Sequence, residues 1–382
     1  MTFVLTEEQE ILQRTAREFV TGKSSLRRVR ELRDDKTGEG FSRALWREMA
    51  ELGWLGIVIP EQYGGAGLGY CDLMVVMEEA GRGLVPEPLL ATVALGATAI
   101  LQGGTDVQKQ AHLPAVAAGD RLLALAAHEA RGRFDLAHVE TRAERTGAGF
   151  RLSGEKVAVL DGHVADCFVV SARTAGATRD ARGVTLFLVP RSASGVAIER
   201  QHRIDGRGCA LVHLRGVDVG TDAVLGALGE GGGLLARVVD RATIALTAEM
   251  LGSLGAAFQM TLDYLKTRQQ FGKLIGSFQA LKHRAARMFV EADLSRSVVM
   301  AACAAIDAGE SDAQVARLAS IAKARLSDAF ILVGNETIQM HGGIGMTDEH
   351  DAGLFLKRAR VAQLTFGDGA YHRDRVARID GY

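Results

Sequence analysis

The sequence predicts an α+β multidomain chain. An N-terminal α-helical domain spans residues 1–120, a middle antiparallel β-barrel or sheet domain 121–229, and a C-terminal four-helix-bundle-like domain 230–382. Three observations lead there. Apolar residues recur at helical spacing in the first and last thirds of the chain. Short β-rich runs broken by Gly, Asp and Arg fill the middle. No long helical pattern separates those runs, which excludes a doubly wound parallel sheet.

The helical beginning starts at Thr6-Glu7-Glu8-Gln9, a capping-box pattern with Thr6 as N-cap and Gln9 reaching back. Ile11, Leu12, Ala16, Phe19 and Val20 follow on one face. Pro60 to Gly69 contains four glycines and reads as a loop. In the middle, Cys167–Val170, Val184–Val189 and Ala210–Leu214 read as strands. Beyond Gly233, Leu251, Leu254, Phe258, Leu262 and Leu265 step by three or four, as do Val315, Leu318, Ala322, Leu326, Ala329 and Val333. Long amphipathic segments joined by short links describe a bundle.

Composition narrows the function classes. Forty-five basic against 46 acidic side chains give a formal charge of -1, which argues against non-specific nucleic-acid binding. Apolar residues at 47% exclude a disordered chain. Forty-five glycines beside five prolines point to tight turns and to backbone that comes close to a ligand. Cys71, Cys167, Cys209 and Cys303 are far apart and form no CxxC pair, and no HExxH occurs, so reduced thiols and no metal site are expected. The first ten residues are acidic and lack signal-peptide order. The most apolar run, Leu89–Leu101, is shorter than the roughly 18 residues that span a bilayer. A cytoplasmic protein without membrane insertion is the expectation.

Three constellations could carry chemistry. Arg268-Gln269-Gln270-Phe271-Gly272-Lys273 with Phe278-Gln279 joins two helical segments and offers a guanidinium, an aromatic ring and an amide. That set suits a phosphate and a flat ring, or else a capping loop with a solvated arginine. Gln339-Met340-His341-Gly342-Gly343-Ile344-Gly345 ends a helix in glycines, which either expose backbone N–H groups to a phosphate or simply cap the helix. Gly229 to Ala236 contains GxGxxA but lacks a βαβ setting, so it reads as the entry to a long helix.

Taken in order, these segments resemble the acyl-CoA dehydrogenases, a flavoprotein family, over essentially the whole chain. Leu52-Gly53-Trp54-Leu55-Gly56 through Pro60-Glu61-Gln62-Tyr63-Gly64-Gly65 is similar to the family's N-terminal pattern. Gly154-Glu155-Lys156 through Asp161-Gly162-His163-Val164-Ala165-Asp166 is similar to its β-domain. The Arg268 and Gln339 motifs are similar to its two C-terminal signatures. The resemblance implies FAD as cofactor, with Arg268, Phe271 and Gln279 on its diphosphate and adenosine portion. Gln339, Gly342 and Gly343 would reach it across a subunit boundary. It also implies an acyl-CoA substrate, an electron-transfer flavoprotein as acceptor, and a homo- or hetero-oligomer, dimer or tetramer.

The pattern breaks at the reacting centre. The family uses a carboxylate to remove the acyl-CoA α-proton while hydride leaves Cβ for the flavin. The corresponding segment here is Thr365-Phe366-Gly367-Asp368-Gly369-Ala370, in which aligning Phe366 with the family's aromatic puts Gly367 at the base position and Asp368 one residue away. An alternative family position for the base falls at Ala242, with Asp240 nearby and Glu249 two turns, about 10 Å, further along the helix. The flavin loop is replaced by Ala126-Ala127-His128-Glu129-Ala130-Arg131-Gly132-Arg133-Phe134-Asp135, and the aromatic-Ile-Thr triad by Ala158-Val159-Leu160. Three readings follow: a complete dehydrogenase with Asp368 or Glu249 as displaced base; a non-catalytic subunit, as in heteromeric acyl-CoA dehydrogenases of actinobacterial type; or a flavin-dependent monooxygenase on the same fold.

Overall fold

The computed structural model describes residues 4–382; Met1–Phe3, the start of the stretch read for a signal peptide, lie outside the described residues. The helices are α1 (Glu7–Lys23), α2 (Leu26–Asp34), α3 (Arg43–Glu51), α4 (Tyr70–Arg82), α5 (Thr98–Gly103), α6 (Asp106–Ala117), α7 (Gly231–Thr267), α8 (Gln279–Asp307), α9 (Asp312–His341), α10 (Ala352–Leu364) and α11 (Gly369–Ile379). The strands are β1 (Leu123–Ala126), β2 (Arg142–Arg145), β3 (Gly149–Leu160), β4 (Cys167–Arg173), β5 (Val184–Pro190), β6 (Val196–His202), β7 (Gly208–Gly220) and β8 (Val224–Leu225), with a short hairpin of β9 (Gln269–Gln270) and β10 (Lys273–Leu274). The helical, β, helical order matches the prediction, and the capping box at Thr6 and Gln9 forms as read.

By contacts the chain divides into two compact units. One comprises Met1–Glu31, Tyr70–Val85 and Thr243–Tyr382; the other comprises Leu32–Gly69 and Pro86–Ala242. Residues from the first 120 therefore contribute to both.

In the first unit α4 and α7 cross with their backbones in contact. A Cβ at Gly81 would overlap the Glu249 carbonyl, and one at Gly252 would overlap the Glu78 carbonyl. Ser253 Oγ donates to Gly81 O at 2.8 Å across the same crossing. Such an approach seals the carboxylates beside it, and a sealed carboxylate needs a cation. Glu78 meets Arg296 of α8 at 2.5 Å, and Glu79 meets Arg17 of α1 at 2.7 Å. Glu249 meets Arg358 of α10 at 2.8 Å. Helix α9, with buried Val315, Ala322, Leu326, Phe330 and Val333, packs against α8, α10 and α11.

The second unit is built on one sheet in the order β6-β7-β3-β2-β4-β5-β8, with β1 added beside β4. Most pairs are antiparallel, as expected, but β1 runs parallel to β4, and β2 meets β4 in parallel at Arg142 and Arg173. The core is apolar, with Phe150 and Phe187 edge to face at 5.3 Å among Leu152, Phe168, Val170 and Val212. The apolar run near Leu89 is a π-helical segment, Leu90–Ala97, buried throughout against β1, where Thr92 Oγ1 accepts from Leu123 N. Among the described residues no helix is long and apolar enough to cross a membrane, and all four cysteines are free thiols.

The crossing makes a sharp stability prediction. Gly252→Val should force α4 and α7 apart and cost about 3 kcal/mol or more, on the order of a severe core overpacking. Gly255→Ala, in the same helix but with nothing within 4 Å of a new Cβ, should stabilise by about 0.5–1 kcal/mol. Urea unfolding of both variants checks the contrast.

Candidate functional site

The two C-terminal motifs meet at one end of the bundle. Tyr264 of α7 stacks on His341 of α9 with ring centroids 4.4 Å apart, and Thr261 Oγ1 donates to Thr337 Oγ1 at 3.0 Å below them. Arg268 follows one turn after Tyr264 and closes α7 through its N–H to Tyr264 O. His341 Nδ1 bonds Thr337 O at 2.7 Å, and α9 ends at Gly342, whose φ of +66 with ψ −139 is a backbone conformation open chiefly to glycine. Motifs about 70 residues apart in sequence thus share one surface.

That surface is open. Arg268, Phe271, Gln279, Gln339, Gly342 and Gly343 are all exposed, Phe271 to 90%. An aromatic ring so bare on a residue with φ +52 is unusual for a finished surface. Gly343 is more telling. Its φ is not left-handed, and no atom would lie within 4 Å of a Cβ built there, so nothing in its own chain requires a glycine. Its smallness fits something that approaches from outside.

The two carboxylates considered as bases sit differently. Glu249 is buried, and its Oε1 accepts from Arg358 Nε at 2.9 Å and Nη2 at 2.8 Å. Asp368 is the N-cap of α11, accepting from Tyr371 N at 2.8 Å. Each has a structural task, and they stand on different elements. Gly367 has φ +115, and a Cβ there would overlap the Tyr371 ring and come within 2.9 Å of His372 Nε2, so this backbone admits no side chain at 367. Phe366 just before it is buried, at φ +61.

The segments read for the flavin ring belong to the second unit. Glu129, buried at the start of the 127–141 loop, accepts from Lys156 Nζ at 2.6 Å, Thr141 Oγ1 at 2.7 Å, Thr141 N at 3.0 Å and Glu140 N at 2.5 Å. Burial would raise its pKa, but Lys156 and these donors hold it below the usual carboxylate range. Burial pushes the Lys156 ammonium down to about 8 against the pull of Glu129. Ala158 sits exposed at φ +52 in a register shift between β3 and β7, where a bulge re-aims the strand. Glu129, His138 and Glu140 also bring three ligand atoms within 4.8 Å. His138 Nδ1 accepts from Arg179 Nε at 3.3 Å, which leaves the ring proton on Nε2 facing Glu140. A protonated nitrogen does not ligate a metal, so the group is better described as the Glu129–Lys156 ion pair with His138 beside Glu140.

Sequence reading missed two buried groups, Lys323 in α9 and His372 in α11. Their sequence neighbours give little signal, with Ser320 and Ser327 beside Lys323 and Asp368 and Arg375 beside His372. Burial pushes Lys323 down to about 7, and burial and then Lys323 push His372 down to about 3, so the imidazole is neutral.

Sequence and fold comparisons define the class. Models of the acyl-CoA dehydrogenase N-terminal, middle and C-terminal domains match residues 6–120, 124–219 and 229–379. The chain belongs to the acyl-CoA dehydrogenase family, whose members are oxidoreductases acting on CH–CH bonds with FAD. It is 30% identical to the probable acyl-CoA dehydrogenase YngJ of Bacillus subtilis, over 99% of each chain. It is 32% identical to a variant of the Tcur3481-Tcur3483 steroid ACAD (TM-score 0.87, 98% of each chain). It is 28% identical to a chain of the ChsE4-ChsE5 complex from Mycobacterium tuberculosis (TM-score 0.88, 99% of this chain and 98% of that one).

Removing Glu129 alone would strand the Lys156 ammonium in the core. Glu129→Leu should cost about 3–5 kcal/mol, and adding Lys156→Met should recover much of it; urea unfolding of the single and double variants tests this. The pH dependence has a definite sign. Between about 8 and the ordinary 10.5, the unfolded chain holds a proton that folded Lys156 has released. Stability from this group therefore rises with pH across that window, and Lys156→Met should flatten the rise.

Proposed function

We propose that this chain is the base-less subunit of an FAD-dependent acyl-CoA dehydrogenase, completing a flavin site with a second chain that supplies the catalytic carboxylate. The observation that carries the reading is the occupation of both candidate bases: Glu249 is tied to Arg358, and Asp368 caps α11. The backbone adds to it. Since 367 admits no side chain, the family's base position falls more naturally on Phe366, which carries no acid. The two-chain names of the Tcur3481-Tcur3483 steroid ACAD and the ChsE4-ChsE5 complex point the same way.

The exposed set fits the cofactor. Arg268 would neutralise the FAD diphosphate, Phe271 and Gln279 would lie along the adenosine portion, and Gln339, Gly342 and Gly343 would bring amide and backbone donors to it across the subunit boundary. FAD, when bound, supplies the hydride acceptor for an α,β-dehydrogenation. The substrate is then an acyl-CoA thioester, of a fatty acid or sterol side chain, and an electron-transfer flavoprotein takes the electrons. A second reading keeps the chain catalytically complete, with Glu249 or Asp368 released from its present partner to act as base.

Purification of the chain alone, then of the chain co-expressed with a carboxylate-bearing dehydrogenase partner, separates the two. The proposal expects FAD retention and anaerobic bleaching by acyl-CoA only in the pair; bleaching by the isolated chain overturns it. Arg268→Ala should weaken FAD retention by roughly 10- to 100-fold, the worth of one charge-assisted contact. Unchanged flavin content in that variant would remove Arg268 from the site.

A further inference from the structure

We propose that Lys323 and His372 act together as a clamp that fixes the direction of the turn 365–368, so that they are positioning residues for whatever side chain stands at 366. The importance given to 366 rests on the proposed function; the clamp itself rests on geometry alone.

Lys323 is fully buried, yet among the described residues no carboxylate hydrogen-bonds its ammonium, and Asp368 acts on it only through space. Nζ donates to Gly367 O at 2.6 Å, Gln363 O at 2.9 Å and Ser327 Oγ at 3.3 Å, three donors for three acceptors. From α11, His372 Nε2 lies 3.1 Å from Phe366 O, which places the imidazole proton on that nitrogen. Its Nδ1 is buried without a hydrogen-bond partner. Backbone carbonyls in a link between two helices ordinarily face water. Here those of residues 366 and 367, together with the last-turn carbonyl of Gln363 in α10, are instead drawn inward by two buried side chains.

The turn needs such a hold. Phe366 at φ +61 and Gly367 at φ +115 are consecutive left-handed residues. A phenylalanine keeps that conformation only where its surroundings over-determine it. A buried ammonium is itself unfavourable, and a methionine of similar length would fill the space without charge. A lysine retained at such a cost therefore does something that packing alone does not. What it contributes is the inward direction of the turn's carbonyls, which sets where the side chain at 366 points.

The test uses the full-length chain and reads amide hydrogen exchange residue by residue. Lys323→Met leaves the Gln363 and Gly367 carbonyls without their donor and should lower the thermal midpoint modestly, while amides of 365–370 exchange roughly tenfold faster or more and α7 and α8 are unchanged. His372→Phe, which removes the donor but keeps the ring, should give the same local loss, and His372→Gln should restore part of it. Unchanged exchange at 365–370 in both Lys323→Met and His372→Phe, or uniform loss of protection along the chain, overturns the clamp. Where Lys323→Met does not fold, His372→Phe carries the test. Phe366→Glu in the flavin-loaded pair, formed with a partner whose own catalytic carboxylate is replaced by its amide, should gain bleaching by acyl-CoA, and adding Lys323→Met should abolish that gain at unchanged FAD content. If Phe366→Glu gains nothing while exchange still depends on Lys323, the placing of the base position fails and the clamp stands. If the gain survives Lys323→Met, the clamp is wrong as a positioning device.

Discussion

The backbone contact between α4 and α7 is the constraint on which the helical unit depends. Two glycines facing each other's carbonyl neighbourhoods let the helices approach closer than side chains would allow. That approach removes water from Glu78, Glu79 and Glu249 together. A buried carboxylate without a partner is expensive, so each of the three fixes the position of an arginine. Those arginines come from α1, α8 and α10. The close crossing thereby dictates which helices surround it. The ion pairs need not add net stability to have this effect, since leaving any one of them unmade is what costs.

The same constraint decides what Glu249 can do. A carboxylate on the long first helix of the bundle is an attractive base when only its position along the helix is known. Once the crossing is in place, that position lies beside Gly81 and faces Arg358. Releasing Glu249 for chemistry would strand a guanidinium and loosen α10, the helix that leads into the turn at 365–368. Structural duty and catalytic duty compete for one side chain here, and its present geometry favours the structural one.

Much of this architecture was legible in the sequence because it is local. The capping box at Thr6, the glycine-marked entry to α7 at Gly231 and the end of α9 at His341 are each specified within a few residues. The Arg268 and Gln339 motifs were legible for the same reason, as short strings in a fixed order. What the sequence hid is long-range. The parallel pairing of β1 with β4 joins residues more than forty apart, and nothing in Leu123–Ala126 announces it. Lys323 and His372 were hidden because their acceptors are backbone carbonyls, which every residue has. Backbone acceptors leave no trace in residue type.

Glycine shows how far composition can carry. Its abundance suggests a ligand, but most of the informative positions serve the chain itself. Gly65 would overlap the Ile59 carbonyl with any side chain, Gly96 would overlap Leu123, and Gly81 and Gly252 make the helix crossing. Gly367 belongs with these, since Tyr371 and His372 occupy the space beside it. A glycine explained by its own fold says nothing about a ligand, and equally says nothing about a lost catalytic residue. Gly343 is the contrasting case, a glycine with ordinary backbone angles and empty space around it, beside an exposed helix end. A glycine of that kind is not explained by its own fold, and since Gly255 shares these properties the case for Gly343 rests on where it lies. It lies in the same motif as Gln339 and on the same face as Arg268, where the proposed flavin site requires backbone to be approached from outside. The proposed lack of a base is therefore better argued from Phe366, Glu249 and Asp368, whose side chains are accounted for, than from Gly367, beside which Tyr371 and His372 occupy the space.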